Sequence, residues 1–212
     1  MKHARTNSGF SALELLIAVS ILAFAIGVPL MLLRSSQQLQ TAATTRAELR
    51  LQARRAVDRI AEQLAASSSG WIAQNALPPP GITYQVASGW AAGGPIVQPA
   101  EQLALVATPT DPDNGLDDDR DGLIDERRLE WTTDFGLPTA RTHVLCNDVL
   151  ENLEGEVPGN GADENGNGLL NEPGFVVTIG VDEAVIRLSL GGRDSQGVRI
   201  DHTTARTVAF RN

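Results

Sequence analysis

At 212 residues, with 42% apolar side chains but only 4% aromatic ones, the chain has material for one ordinary globular domain plus an appended segment, and its core must be filled by Leu, Val, Ile and Ala rather than by rings. A formal charge of -9, with Lys2 as the sole lysine, argues against nucleic acid as a partner, because phosphate recognition needs clustered Lys and Arg. One cysteine, Cys146, excludes an internal disulfide and leaves the redox compartment open.

Residues 1–9 are polar, carry Lys2 and Arg5, and end in Gly9; residues 10–33 are almost wholly apolar. At ~1.5 Å per residue such a helix reaches roughly 36 Å, enough to cross a hydrocarbon layer about 30 Å thick. The positive flank places the amino terminus in the cytoplasm and everything after Arg34 outside it. Glu14 alone interrupts the run. A carboxylate there costs about 2–3 kcal/mol on insertion scales, so it calls for a partner. Pro29 is compatible with a membrane helix, which tolerates a kink. Two plainer readings compete. One is a secretory signal cut at Ala23-Phe24-Ala25, although the apolar run continues for eight residues beyond Ala25. The other is a simple single-pass anchor, which leaves Glu14 without a purpose.

The polar leader ending in Gly9, followed by Phe10-Ser11-Ala12-Leu13-Glu14-Leu15-Leu16-Ile17, resembles the class III signal of type IV pilins and type II secretion pseudopilins. That resemblance implies a membrane prepilin peptidase that cuts after Gly9 and methylates the new amino terminus at Phe10. It also implies that Glu14 neutralises the terminal amine of a neighbouring subunit during assembly. The physics is consistent with this, since a terminal ammonium and a carboxylate, each costly in lipid, cost much less as a pair.

After Arg34 the helical pattern continues without a loop signal but turns amphipathic. Ala53, Val57, Ile60 and Leu64 share one face, and Arg50, Arg54, Arg55, Asp58, Arg59 and Glu62 take the others. The pattern predicts helix to about Ala66, where Ser67-Ser68-Ser69-Gly70 stops it. Interleaved acids make the arginine face a solvated face or subunit contact rather than a headgroup or nucleic-acid patch. Leu77-Pro78-Pro79-Pro80-Gly81 reads as a stiff turn or linker. Strand patterns follow at 82–87, 102–107, 127–133, 142–146, 175–181, 184–190 and 203–210, separated by Gly- and Pro-rich stretches such as 88–99. The expected fold class is therefore α+β, one long helix packed on an antiparallel β-sheet. The domain plan is a leader at 1–9, a membrane and assembly half of the helix at 10–33, an amphipathic half at 34–66 and a β-rich periplasmic domain at 67–212.

The charged helix 50–64, the Arg128-Leu129-Glu130-Trp131 strand and the ending Val208-Ala209-Phe210-Arg211-Asn212 resemble J-type minor pseudopilins of type II secretion and W-type minor pilins. The resemblance implies a structural subunit that initiates or caps a filament. Its partners would be other pilin or pseudopilin subunits, the prepilin peptidase, the inner membrane and secreted substrates. A filament-tip adhesin is the alternative, favoured by an exposed aromatic or basic cluster, for which Trp131 and Arg127-Arg128 are the candidates; they read better as a strand.

Two acidic segments, within 113–126 and 160–172, are copies of one another. Asn114-Gly115-Leu116-Asp117-Asp118-Asp119-Arg120-Asp121-Gly122-Leu123-Ile124-Asp125-Glu126 matches Asn160-Gly161-Ala162-Asp163-Glu164-Asn165-Gly166-Asn167-Gly168-Leu169-Leu170-Asn171-Glu172 at nearly every position. Oxygen-bearing side chains at alternate positions, followed by glycine, suit calcium, which takes six to eight oxygens at about 2.3–2.6 Å. The expected ligands are Asp117, Asp119, Asp121, Asp125 and the Leu123 carbonyl in the first loop, and Asp163, Asn165, Asn167, Asn171 and the Leu169 carbonyl in the second. Both resemble the front of an EF-hand loop, yet its bidentate glutamate position holds Arg128 or Gly174, leaving Glu126, Glu172 or water to complete a shell. A solvated Asp-Gly turn is the plain alternative, but six acids between Asp117 and Glu126 repel one another without a cation.

No catalytic constellation emerges. His3, His143 and His202 are dispersed without zinc-site spacing, and Cys146, between strand residues, reads as a packing thiol. The chain is expected not to be an enzyme.

Overall fold

The structure, a computed structural model, describes residues 11–75, 81–120, 123–156, 161–166, 170, 172–194 and 196–210. It forms two compact units, Met1–Thr41 and Ala42–Asn212. In the first, helix α1 (Ala12–Ala65) begins and runs through Pro29 without a break. Its apolar side chains there are exposed, and among the described residues it is the one helix long and apolar enough to cross a membrane. Ser11 caps it: the Ser11 hydroxyl accepts the Glu14 N–H at 3.2 Å and the Ser11 carbonyl accepts the Leu15 N–H at 3.2 Å. Ser11 and Glu14 thus stand at the spacing of a capping box, with an acid in the turn where the helix dipole favours it.

In the second unit α1 buries Leu49, Ala53, Ala56, Val57, Ile60, Ala61 and Leu64, the face anticipated from sequence, extended by one turn. Each of the larger of these side chains contributes about 1.5–3 kcal/mol by leaving water. The helix closes with tightened bonds from Ala66 N–H to Gln63 O and from Ser67 N–H to Leu64 O, and a 3-10 turn (Ser69–Trp71) follows.

The face of α1 packs on an antiparallel sheet. Its strands are β1 (Ile72–Asn75), β2 (Gly81–Tyr84), β5 (Glu101–Ala107), β6 (Arg127–Thr133), β7 (Arg141–Val149), β8 (Phe175–Ile179), β9 (Glu183–Arg193) and β10 (Arg199–Ala209). A separate hairpin consists of β3 (Ala87–Ala91) and β4 (Gly94–Val97). The sheet order is β1-β2-β5-β6-β7-β9-β10; β8 also pairs with β9, along residues 184–188, while β7 meets β9 at Val149 and Leu190. Alternation fills the core: Leu103 and Leu105 from β5, then Ala184, Ile186, Leu188 and Leu190 from β9, all point at the helix side.

The α+β expectation holds, and six strand patterns fall on strands. The seventh, 82–87, divides: β2 ends at Tyr84, Gln85 N–H bonds to Trp71 O, and β3 starts a different sheet at Ala87. Within 88–99, read as a separator, lies most of the β3–β4 hairpin, with Trp90 and Ile96 exposed. Most of the Pro-rich stretch at 77–81, residues 77–80, lies outside the described residues.

One polar cluster ties helix to sheet. Glu101 is 8% exposed, and its Oε2 accepts the Tyr84 hydroxyl at 2.8 Å and the Trp131 indole N–H at 2.7 Å. Arg59 of α1 lies 4.9 Å over the Trp131 ring. Burial, then the charge of Glu101, raises the Tyr84 phenol above its ordinary pKa, so it remains a donor. Trp131 is therefore a strand residue with an internal partner. Cys146 is buried, and burial pushes its thiol up to about 12, which keeps it protonated and unreactive at neutral pH.

Candidate functional site

The two acidic segments occupy equivalent places, each between consecutive strands of the sheet. The first spans β5 to β6 and the second β7 to β8. Each is closed at its base by the backbone carbonyl of its last glutamate: Glu126 O accepts the Thr108 N–H at 3.4 Å, and Glu172 O accepts the Leu153 N–H at 2.9 Å. Short bridges, Thr108 with Asp111 and Asn152 with Pro173, reinforce the two bases. The loops are neighbours, because Leu123 of the first and Leu150 beside the second both crowd the space over Gly191 of β9.

Their backbones repeat as their sequences do. Gly115 and Gly161, matching positions, have φ of 79° and 70°; Arg120 and Gly166, also matching, have φ of 64° and 73°. Left-handed backbone is easy for glycine and costs an arginine about 1–2 kcal/mol, so the turn at Arg120 is imposed by its surroundings. Burial repeats as well. Ile124 and Leu170 are both exposed, whereas Glu126 and Glu172 are 2% and 4% exposed.

The acids of the first loop fall into two groups. Asp125, at φ 52°, acts as a cap: its Oδ1 accepts the N–H groups of Asn114 at 2.8 Å and Gly115 at 2.9 Å. Asp113 pairs with Arg127 of β6 at 2.7 Å. The second group faces inward. Asp111 is fully buried; its Oδ1 accepts the Asp118 N–H at 2.8 Å and its side chain contacts that of Glu126, but its Oδ2 has no hydrogen-bond partner. The Asp118 N–H first, and then the adjacent Glu126 side chain, hold the Asp111 carboxyl below the usual carboxylate range. Asp117 also presents a buried Oδ1 with no partner. In the second loop Glu172 presents two such oxygens, while Asp163 Oδ1 accepts the Gly166 N–H at 2.7 Å and Glu156 accepts the Asn165 N–H at 3.3 Å.

Of the expected ligands, Asp117, Asp119, Leu123 and Asp125 of the first loop are among the described residues, with Leu123 packed inward at 2% exposure, as are Asp163 and Asn165 of the second. Asp121, Asn167, Leu169 and Asn171 lie outside the described residues, as do Gly9 and Phe10. Among the described residues no three His, Cys, Asp or Glu side chains converge on one metal position. Asp111 was not anticipated from sequence. The signal available was an acid shortly ahead of each repeat, Asp111 before Asn114 and Glu156 before Asn160.

The second loop's base has little steric tolerance. A Cβ on Gly174 would collide with the Leu150 carbonyl oxygen, whereas one on Gly70 would meet open space. Gly174→Ala should lower stability by about 3 kcal/mol, or roughly 10 °C in the thermal melt of the full chain in detergent, with Gly70→Ala within about 0.5 kcal/mol. Equal melts for the two variants would show that this close approach is absent.

No protein-family description, curated protein or solved structure matches the chain.

Proposed function

We propose that the protein is a minor pilin or pseudopilin, a membrane-anchored structural subunit that initiates or caps a type II secretion pseudopilus or type IV pilus-like filament, and not an enzyme. The observation that carries this reading is a single helix with two uses. Its first part is exposed and apolar with one acid, Glu14, in its opening turn, and its later part holds a sheet through Leu49, Ala53, Val57, Ile60 and Leu64. An apolar stretch of that length is stable in lipid or against similar helices, and an isolated carboxylate within it favours a cationic neighbour. In this reading residues 1–9 are a cytoplasmic leader, the inner membrane holds the first part of the helix, and the globular domain lies on the periplasmic side. Its partners are other pilin-like subunits and the prepilin peptidase. The two repeated loops take calcium as a structural ion that braces the domain.

Replacing Gly9 with valine tests the assignment, because the proposed peptidase cut falls directly after Gly9. In a host that assembles the filament, the Gly9→Val chain should keep its leader mass and stay out of filaments, while the parent chain is shortened. Equal masses for parent and variant, with equal incorporation, would refute the reading.

A further inference from the structure

The second unit carries a cationic cleft that neither the apolar half of the helix nor the acidic loops use. Within that unit α1 and β10 run side by side along one margin of the sheet. Leu49 lies over Gly192, the partner of Ile200, at one end, and Asp58 pairs with Arg206 at the other. Between them is an open cleft of about 540 Å³, lined by Arg50, Arg54, Asp58, His202, Thr204 and Arg206, with Val57 on its floor. Asp58 is the one carboxylate among these lining residues, and it is shared by Arg206 and Arg54, the latter at 3.7 Å. Among the described residues no carboxylate pairs with Arg50, nor with Arg46 one turn before it. Burial first, and then the charge of Arg50, hold His202 below its ordinary pKa, while Glu154 acts in the opposite sense, so Arg50 is felt inside the cleft. Arg46, Arg50 and Arg54 stand four residues apart, a spacing at which like charges destabilise a helix unless they are answered.

A second feature lies beside the first. Strand β10 ends the sheet order, and among the described residues β9 is its only partner. Its outer edge therefore presents unpaired N–H and C=O groups next to the arginines, and Ala205, Arg206 and Thr207 are exposed there. The two features share a spacing. Residues four apart on a helix repeat every ~6 Å along its axis, and alternate side chains of a strand repeat every ~6.6 Å.

We propose that the cleft between α1 and β10 is a docking site for an extended acidic segment of another protein, which adds as a strand to the edge of β10 and sets carboxylates at alternate positions against Arg50 and its neighbours Arg46 and Arg54. The arginines select acid, and the free edge selects an extended backbone. A second copy of the chain is the poorer occupant, because its own acid-rich segments are held between strands of its own sheet. The site stands whether or not the chain enters a filament, since it uses only the second unit.

Fluorescence anisotropy of a labelled eight-residue peptide of alternating glutamate and threonine, titrated with the full chain in non-ionic detergent micelles at low salt, tests this. The peptide should bind, and its lysine-threonine counterpart should not. Arg50→Gln should weaken binding about fivefold and Arg50→Glu about 20-fold, with Arg55→Gln, which does not line the cleft, unchanged within about twofold. Arg50 is exposed, so these variants should melt within about 2 °C of the parent. Methylating alternate backbone nitrogens of the peptide keeps its charges and removes strand hydrogen bonds, and should weaken binding about 10-fold. Equal affinity of the parent and Arg50→Glu chains, or no binding to the parent, would overturn the site. Equal affinity for the methylated peptide would overturn strand addition. Full displacement by inorganic phosphate at matched ionic strength would make the cleft a small-oxyanion site instead. Self-association of the parent chain that Arg50→Glu abolishes would assign it to a second copy, against the proposal.

Discussion

A Glu14→Ala chain is expected to insert in the membrane as well as the parent or better, yet to enter filaments about 30-fold less or worse. Insertion improves because a carboxylate in lipid costs about 2–3 kcal/mol, and alanine removes that cost. In the proposed filament, assembly would suffer because the ammonium of a neighbouring subunit then loses its counter-charge in the same medium, and 2 kcal/mol corresponds to about 30-fold. A second explanation for Glu14 is visible in the helix start, where Ser11 and Glu14 stand at capping-box spacing. Glutamine serves a capping box nearly as well as glutamate but carries no charge. Glu14→Gln therefore decides between the two: it should assemble as poorly as Glu14→Ala. Normal assembly of the glutamine variant, measured as the fraction recovered in sheared filaments, would assign Glu14 to the helix cap alone.

The second large effect is expected at Glu101. One of its oxygens accepts from both Tyr84 and Trp131, so alanine there leaves two largely enclosed donors without an acceptor. Hydrogen bonds to a charged group contribute about 1.5–3 kcal/mol each, and together they put the loss near 3–6 kcal/mol, a large share of a typical domain's stability. The melt of the full chain in detergent should fall by about 10 °C or more for Glu101→Ala and by clearly less for Glu101→Gln, which keeps an acceptor. The Arg59 contact with the Trp131 ring would loosen too, visible as a shift of tryptophan fluorescence. A Glu101→Ala chain with parent-like melting would remove this cluster from the account of how helix and sheet are joined.

The parts of the fold that could be read in the sequence are those with a strong period. Residues 53–64 place an apolar side chain every third or fourth position, and β9 alternates Ala184, Ile186, Leu188 and Leu190, so packing agrees with local pattern. Strand β1, Ile72-Ala73-Gln74-Asn75, has no such alternation; it is a strand because β2 pairs with it along its full length at the sheet's edge. The β3–β4 hairpin is exposed on both strands, so burial leaves no pattern in it to find. Both β9 and β10 run to eleven residues, past their apolar centres, because each extends the ladder of the other through polar residues such as Arg193, Asp201 and His202.

The loops divide in the same way. Their acid-and-glycine composition and their duplication are plain in the sequence, and the repeated left-handed turns at Gly115 and Gly161 follow from Asn-Gly. Which acid ends up buried is a property of the strands. Glu126 sits one residue before β6 and Glu172 three before β8, so the strand ends carry them inward, and Asp111 is drawn in by its bridge to Thr108. No residue-by-residue rule for a calcium loop contains that information.

The measurement that bears most directly on the proposed function is the amino-terminal residue of the protein recovered from the membranes of its own host, determined by mass spectrometry of the terminal peptide. A filament subunit carrying this leader should begin at an N-methylated Phe10. A terminus just after Ala25, or a working protein that still carries residues 1–9, would contradict the assignment.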